Sequence, residues 1–151
     1  MESNHQEHLN ISEKGSFDIL LNDYTNLKDA LVDDNSKNAS EAGKTLLASL
    51  EKVSKSDYKE ISEILDSIKE NAEHIRDNVG KIDHQREHFA LISKDFIDLI
   101  NQTGTLKKLY LNFCPMYDDN KGANWLSETK EIENPFYGTE MLRCGTLKKE
   151  Y

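Results

Sequence analysis

The spacing of apolar residues predicts four amphipathic helices in the first two thirds of the chain. Apolar side chains recur three and four positions apart in four successive stretches, which is the spacing that gathers them on one face of an α-helix. The first helix is predicted over about residues 16–33, and the second follows an apolar stripe over 39–53. The third runs from a cap near residues 56–57 to about residue 78, and the fourth covers about 82–102.

Short connections between these helices indicate an antiparallel bundle, because a short loop makes each helix run back along the one before it. Residues 1–15 are polar and not periodic, and we expect them to be a flexible lead-in. A chain of 151 residues suits one domain, here 16–151. The predicted fold is therefore all-α: an antiparallel up-down four-helix bundle over 16–102, with a long, mostly irregular C-terminal segment over 103–151 packed on it.

The helical spacing stops at Thr103, and most of the distinctive chemistry of the chain follows it. The segment 103–151 contains both cysteines, two of the three methionines and the only tryptophan. Residues 106–113 partly alternate and are expected to be a short extended stretch, with one short turn near 125–127 and irregular backbone elsewhere. Trp125, Phe136 and Tyr137 are predicted to anchor the segment, with hydrogen bonds from the indole N–H and the phenol. A long irregular segment in a compact domain is usually functional.

Charge and composition exclude several classes of function. The formal net charge is −9, and the acidic excess lies wholly in residues 1–104, where 21 acidic residues stand against 12 basic ones. Such a surface repels phosphate backbones, so nucleic-acid binding is not expected. No apolar run approaches the roughly 20 residues of a membrane span. The N-terminus lacks the apolar core of a signal peptide, so a cytoplasmic location and a processed exported form both stay open.

No motif predicts an enzyme. The chain has no glycine-rich phosphate loop, no nucleophile elbow and no carboxylate pair that spacing assigns to acid–base chemistry. The run Asp118-Asp119-Asn120-Lys121-Gly122 partly resembles a calcium loop. Its glycine, however, stands fifth instead of sixth and no glutamate stands twelfth, so a turn is predicted there.

His84 and His88 form the first candidate for metal binding. They are four positions apart in a predicted helix, which puts both imidazoles on one face, as two ligands of one ion require. The order His-Gln-Arg-Glu-His differs from the His-Glu-x-x-His of zinc proteases, so a hydrolytic zinc site is not expected. The alternative is a pair of ordinary surface or hydrogen-bonded histidines.

Cys114 and Cys144 form the second candidate, each with a methionine nearby, Met116 and Met141. The two cysteines suit a disulfide in an exported protein and equally two thiolate ligands. Thiolates, thioethers and imidazoles together are the ligand set that suits Cu(I). The alternative for the methionines is a role as adaptable core filler.

Three blocks of sequence resemble a bacterial domain family of formally unknown function. They read HQREHFALIS (84–93), YLNFCPMYDDNKGANWLS (110–127) and NPFYGTEMLRCG (134–145). The family occurs alone in exported or lipid-anchored proteins, notably of Bacteroidetes, and fused to periplasmic adaptor subunits of heavy-metal efflux pumps. The resemblance implies a helical bundle with a C-terminal loop region, a role in binding copper or a related heavy metal, and a periplasmic or otherwise exported location. This chain departs from many exported members in showing no signal sequence or lipobox cysteine.

Two hypotheses of different class follow. The first is a non-enzymatic module that binds a soft heavy metal, foremost Cu(I), for buffering, delivery or efflux, with components of an efflux pump as partners. Its ligands are drawn from six residues: His84, His88, Cys114, Met116, Met141 and Cys144. The second is a structural or adaptor domain that binds no metal, packs against a partner protein and holds its two cysteines in a disulfide.

Overall fold

The structure is a computed structural model that describes residues 11–53 and 58–151, with side chains from residue 15 onward. It contains four long helices and three short strands. The helices are α1 (Ile11–Val32), α2 (Ser36–Lys52), α3 (Lys59–Asp77) and α4 (Ile82–Thr103), and the strands are β1 (Tyr110–Cys114), β2 (Ala123–Ser127) and β3 (Thr146–Glu150).

The predicted helical bundle is confirmed. Each helix packs against the next one along the chain. The predicted lead-in over 1–15 is wrong in its last part, because α1 already begins at Ile11. Residues 1–10 of that lead-in, and the predicted cap near residues 56–57, lie outside the described residues. None of the described helices is long and apolar enough to cross a membrane.

Local sequence explains where the second and fourth helices begin and end. The side chain of Asn35 accepts a hydrogen bond from the backbone N–H of Asn38 at 2.9 Å, which satisfies one of the free donors at the start of α2. Gly104 ends α4 with a φ of 72°, a left-handed conformation that glycine adopts without steric cost. Its N–H donates to the carbonyl of Ile100 at 2.8 Å.

Tyr24 of α1 joins the bundle to the C-terminal segment. Its ring packs on Phe89 and Phe96 of α4, with centroid distances of 5.1 and 5.0 Å. Its hydroxyl shares a 2.7 Å hydrogen bond with Ser93 and accepts one from the backbone N–H of Leu126 at 3.0 Å. The polar group is buried, and its first hydrogen bond joins α1 to α4 while the second holds β2 against α1.

The C-terminal segment is not mostly irregular, and the fold is therefore not purely all-α. Its three strands form an antiparallel sheet in the order β2-β1-β3. Each strand has five residues, which is too short for a clear period in the sequence. Only β1 alternates in burial; β3 is exposed throughout, and the pairing of β1 with β3 shifts between Leu111 and Asn112. The predicted turn at 125–127 is wrong, since these residues lie in β2.

The sheet is anchored to the bundle by aromatic side chains, as predicted. Trp125 is fully buried and Phe136 is 3% exposed. The ring of Phe136 lies 5.7 Å from Phe89 of α4 and 6.0 Å from Trp125. The expected hydrogen bond of the indole is not formed, because Nε1 of Trp125 is buried without a partner. The phenol of Tyr137 does donate, to the carbonyl of Met116 at 3.1 Å.

Candidate metal centre

The sheet brings the two cysteines together. Cys114 is the last residue of β1, and Cys144 comes two residues before β3 begins. Because β1 and β3 are antiparallel and Phe113 is opposite Thr146, the chain beyond that pair places Cys144 next to Cys114. Both cysteines are free, and the side chain of Cys114 lies close enough to act on that of Cys144. The thiols are thus neighbours without being covalently linked.

The two thiols differ in their access to solvent. Cys114 is fully buried, on the face of β1 that packs inward, whereas Cys144 is partly exposed. Burial and the neighbouring thiol of Cys114 both raise the pKa of Cys144 above its ordinary value of 9.0. Its thiol therefore carries its proton at neutral pH. A metal ion that binds the thiolate of Cys144 must displace this proton.

The two methionines lie between the two cysteines along the chain. Met116 follows Cys114 by two positions and is 48% exposed, which is unusual for a methionine that serves as core filler. Met141 ends a short 3-10 helix, Gly138–Met141, and its carbonyl accepts a hydrogen bond from the N–H of Cys144 at 3.1 Å. Met141 is therefore held near Cys144 by a backbone hydrogen bond, and Met116 lies two positions after Cys114 in the chain.

Tyr137 and Asn134 hold the segment that carries Cys144. The pKa of Tyr137 is raised by burial first and then by the thiols of Cys114 and Cys144, and its hydroxyl donates to the carbonyl of Met116 at 3.1 Å. Asn134 is fully buried; its amide donates to the carbonyl of Cys144 at 2.7 Å, and its Oδ1 accepts from the N–H groups of Phe136 and Tyr137 at 2.8 and 3.1 Å. One side chain thus closes the loop between residues 134 and 144.

Arg86 of α4 fastens the same loop to the bundle. It is 6% exposed and donates to the carbonyls of Pro135 at 2.8 Å and Leu31 at 2.7 Å, and to the carboxylate of Asp34 at 2.8 Å. Asp34 in turn accepts from the N–H and hydroxyl of Thr139 at 3.2 and 2.5 Å. We call these residues, Arg86, Asp34 and Thr139, the latch. Charge-assisted hydrogen bonds of this kind are the stronger ones in proteins.

The latch leaves no room for a side chain at Gly138. This glycine has a φ of 59°, and a Cβ atom there would overlap the carboxylate of Asp34 and approach Nη2 of Arg86. Glycine is therefore required both for the left-handed backbone and for the close contact. The short helix that begins at Gly138 ends at Met141, and Cys144 follows three positions later, so the fit at Gly138 helps to position both residues.

Residues 118–122, predicted to form a turn, overlap a single helical turn, Tyr117–Asn120, whose backbone is unusual. Three successive non-glycine residues are left-handed: Asp118 (φ 55°), Asp119 (φ 54°) and Asn120 (φ 67°). Asp and Asn tolerate this conformation better than most residues, although it still costs energy. Strain of this kind is concentrated at functional sites in many proteins. Here the left-handed residues begin two positions after Met116.

The histidines lie on the other side of α4 from the cysteine-bearing loop. Arg86 faces that loop through Pro135, whereas His88, two positions later in the helix, bonds Asn71 of α3 through Nδ1 at 2.9 Å. Two positions in an α-helix correspond to a rotation of about 200° around the helix axis, so the side chains of Arg86 and His88 point in nearly opposite directions. The six candidate ligands are thus divided into two groups, the thiols with the methionines and the histidines with α3.

Sequence reasoning did not single out His74, Arg86, Asp34 or Asn134. His74 of α3 stacks on His88 with a centroid distance of 4.3 Å, and His84 meets His88 edge-on at 5.6 Å. One signal was available: each of His74 and His88 directly precedes a fully buried residue of its helix, so both border the apolar stripe. In the residues that the structure describes, no group of three or more His, Cys, Asp or Glu side chains is arranged to hold a metal ion.

These features define a class of protein, a four-helix bundle that carries a small antiparallel sheet and a pair of free, adjacent thiols. The chain belongs to a protein family of unknown function, DUF3347, which it matches over residues 20–108. The match runs from within α1 to the connection between α4 and β1, and covers more than half of the chain. Comparison with curated proteins and with solved structures found no match.

Proposed function

We propose that the protein binds a soft metal ion, foremost Cu(I), through the thiolates of Cys114 and Cys144. The observation that carries this proposal is the position of two free thiols, which the pairing of β1 with β3 places next to each other at the end of β1. Soft ions such as Cu(I) prefer thiolate and thioether ligands. The donor set at this end of the sheet fits that preference.

Met116 and Met141 are the proposed additional ligands. Met116 is exposed, and Met141 is joined to Cys144 through a backbone hydrogen bond. A thioether binds more weakly than a thiolate, so these residues contribute less to the affinity. His84 and His88 are not part of this proposed site, because α4 directs them towards α3 and away from the loop.

The protein's own residues supply a rigid frame for the thiols. The latch and Asn134 hold the loop over residues 134–144 by its backbone, so the position of Cys144 does not depend on the metal. A prearranged site avoids the cost of ordering the loop when the ion binds. Loss of the thiol protons accompanies binding, since the ligand form of cysteine is the thiolate.

The resemblance of the blocks over 84–93, 110–127 and 134–145 supports a role in metal handling. On that basis we propose that the protein buffers or delivers the ion outside the cytoplasm, in association with components of a heavy-metal efflux pump. The alternative is an adaptor domain whose adjacent thiols close into a disulfide. The contact between Cys114 and Cys144 favours this second function as well, because the two residues are close enough to be oxidised together.

Competition for Cu(I) tests the proposal. The reduced full-length protein is titrated against a chromophoric Cu(I) chelator without oxygen, and we expect one ion per chain. Cys114→Ser and Cys144→Ser should each weaken binding by about a hundredfold or more, equivalent to about 2.7 kcal/mol, whereas Met116→Leu should weaken it far less. Equal affinity of the cysteine variants and the wild type would refute the proposal.

The redox state of the purified protein separates the two functions. The intact mass is measured after alkylation without reductant. A mass that shows two alkyl groups supports free thiols available to a metal. An unalkylated mass that is lower than that of the reduced protein by two hydrogen atoms supports the disulfide, and with it the adaptor function.

A further inference from the structure

Three histidines are gathered on the surface between α3 and α4, although they are distant in sequence. His74 lies in the last turn of α3, and His84 and His88 lie one turn apart in α4. The rings of His74 and His88 are parallel, with an interplanar angle of 1° and a centroid distance of 4.3 Å. The ring of His84 meets that of His88 at 70° and 5.6 Å. These are three of the five histidines in the chain.

The central imidazole, His88, has a defined proton position. The amide of Asn71 donates through Nδ2 to the carbonyl of Ser67 at 3.0 Å, so its Oδ1 faces His88 as an acceptor. Nδ1 of His88 therefore carries the proton that bonds Asn71, and Nε2 is left with a free lone pair. In metal sites the ligating histidine is oriented in the same way, by a hydrogen bond from its other nitrogen.

The surroundings of the three rings favour a cation. Oε2 of Glu87 lies 3.5 Å from Nδ1 of His84. The negative charge of Glu70 acts on His88 in the direction that raises its pKa. Burial is the largest cause that lowers the pKa of His88, followed by its two histidine neighbours. The nearby carboxylates favour positive charge at these rings.

We propose that His74, His84 and His88 bind a divalent cation of intermediate softness, such as Zn²⁺, and that the ion joins α3 to α4. Imidazole is a preferred ligand of such ions. His74 and His84 are exposed, so both rings can turn towards Nε2 of His88 without displacing core residues.

This site is separate from the thiols and does not rest on the proposed function. His88 faces α3, whereas Arg86 faces the loop that carries Cys144. The two sites also differ in ligand class, imidazole on one side of α4 and sulfur on the other. Normal Cu(I) binding at the thiols with no metal binding at the histidines is therefore a possible result, and so is metal binding at the histidines with no Cu(I) binding at the thiols.

Zn²⁺ alone is the probe, added to the reduced full-length protein at pH 7.5. We expect the imidazole nitrogen signals of all three histidines to shift in NMR spectra, and the melting temperature to rise, because the ion joins two helices. His74→Gln should lower the affinity by about tenfold or more and remove most of the thermal shift. His8→Gln is the matched control and should change neither.

His74→Gln is the decisive variant, because two histidines four residues apart in a helix bind metal ions weakly without any third ligand. If this variant binds Zn²⁺ as tightly as the wild type, the ion is held without α3 and the proposal is wrong. Because His74 is exposed, the substitution leaves the core untouched. The double variant Cys114→Ser/Cys144→Ser should retain the Zn²⁺ shifts at the histidines. If Zn²⁺ binding disappears there and persists in His74→Gln, the ion uses the thiols and the histidine site is refuted.

Discussion

Removal of the Arg86 side chain should weaken the C-terminal segment more than any other single change in the latch. In Arg86→Met the buried carbonyls of Leu31 and Pro135 lose their donor, and Asp34 loses its cationic partner. An unpaired buried carbonyl costs about 1–3 kcal/mol. Loss of one partner of a buried ion pair costs about 3–5 kcal/mol, and less where, as here, the partner side chain is 39% exposed.

Taken together, these contributions predict a loss of about 3 kcal/mol in the free energy of unfolding, since they are not independent and do not add fully. This is a large part of the roughly 5–15 kcal/mol that stabilises a typical domain. With a denaturant slope of about 2 kcal/mol/M, the midpoint of urea unfolding should fall by about 1.5 M.

Two spectroscopic signals distinguish where the stability is lost. Trp125, the only tryptophan, is fully buried in β2 and reports on the sheet by fluorescence, while far-UV circular dichroism reports on the helices. We expect the fluorescence transition of Arg86→Met to move to lower urea. Arg76→Met is the matched control, because the Arg76 side chain bonds, among the residues that the structure describes, only its surface neighbour Asp77, and its midpoint should match the wild type. A midpoint of Arg86→Met within 0.3 M of the wild type, on the scale of the slope above, would show that the latch does not hold the loop.

Three further predictions test the loop and the thiols. Gly138→Ala should lower the free energy of unfolding by about 1 kcal/mol or more from its left-handed φ alone, and so move the fluorescence midpoint to lower urea. An unchanged midpoint would contradict the crowding against Asp34. Hydrogen bonds from Thr139 and Arg86 lower the pKa of Asp34 below 3.8. The stabilising effect of the Asp34 carboxylate is therefore present above about pH 4 and is lost as the pH falls through the lowered pKa. The difference in stability between wild type and Asp34→Asn should shrink between about pH 5 and 2, and a constant difference would exclude this linkage. Cu(I) binding at pH 7.5 should release about one proton fewer per ion in Cys144→Ser than in the wild type, measured in a pH-stat, and equal release would contradict coordination by the Cys144 thiolate.

The bundle could be predicted from the sequence because each helix is long enough to repeat its apolar spacing several times. Val32, Lys52 and Asp77, the last residues of the first three helices, all lie next to the predicted ends. The start of α1 was predicted too late, since its first turn carries few apolar residues and its polar surface resembles a lead-in. Helix termini of this kind have little periodic signal.

The sheet could not be predicted, because its pairing depends on contacts between segments far apart in the chain. β1 bonds β3 across about thirty residues, and β3, Thr146–Glu150, has no apolar alternation of its own. The same pairing places Cys144 beside Cys114, which spacing alone left open. The contacts of His74 with His88 are likewise tertiary, arising from the packing of α3 against α4.

X-ray absorption at the copper edge of the reduced protein loaded with one Cu(I) per chain tests the central proposal most directly. It identifies the atoms bonded to the ion, and sulfur and nitrogen neighbours are readily distinguished by distance and scattering. The account predicts a first shell of sulfur from Cys114 and Cys144, with or without a methionine, and no imidazole. A shell dominated by nitrogen, with the multiple scattering of imidazole rings, would contradict it and place the ion on the histidines instead.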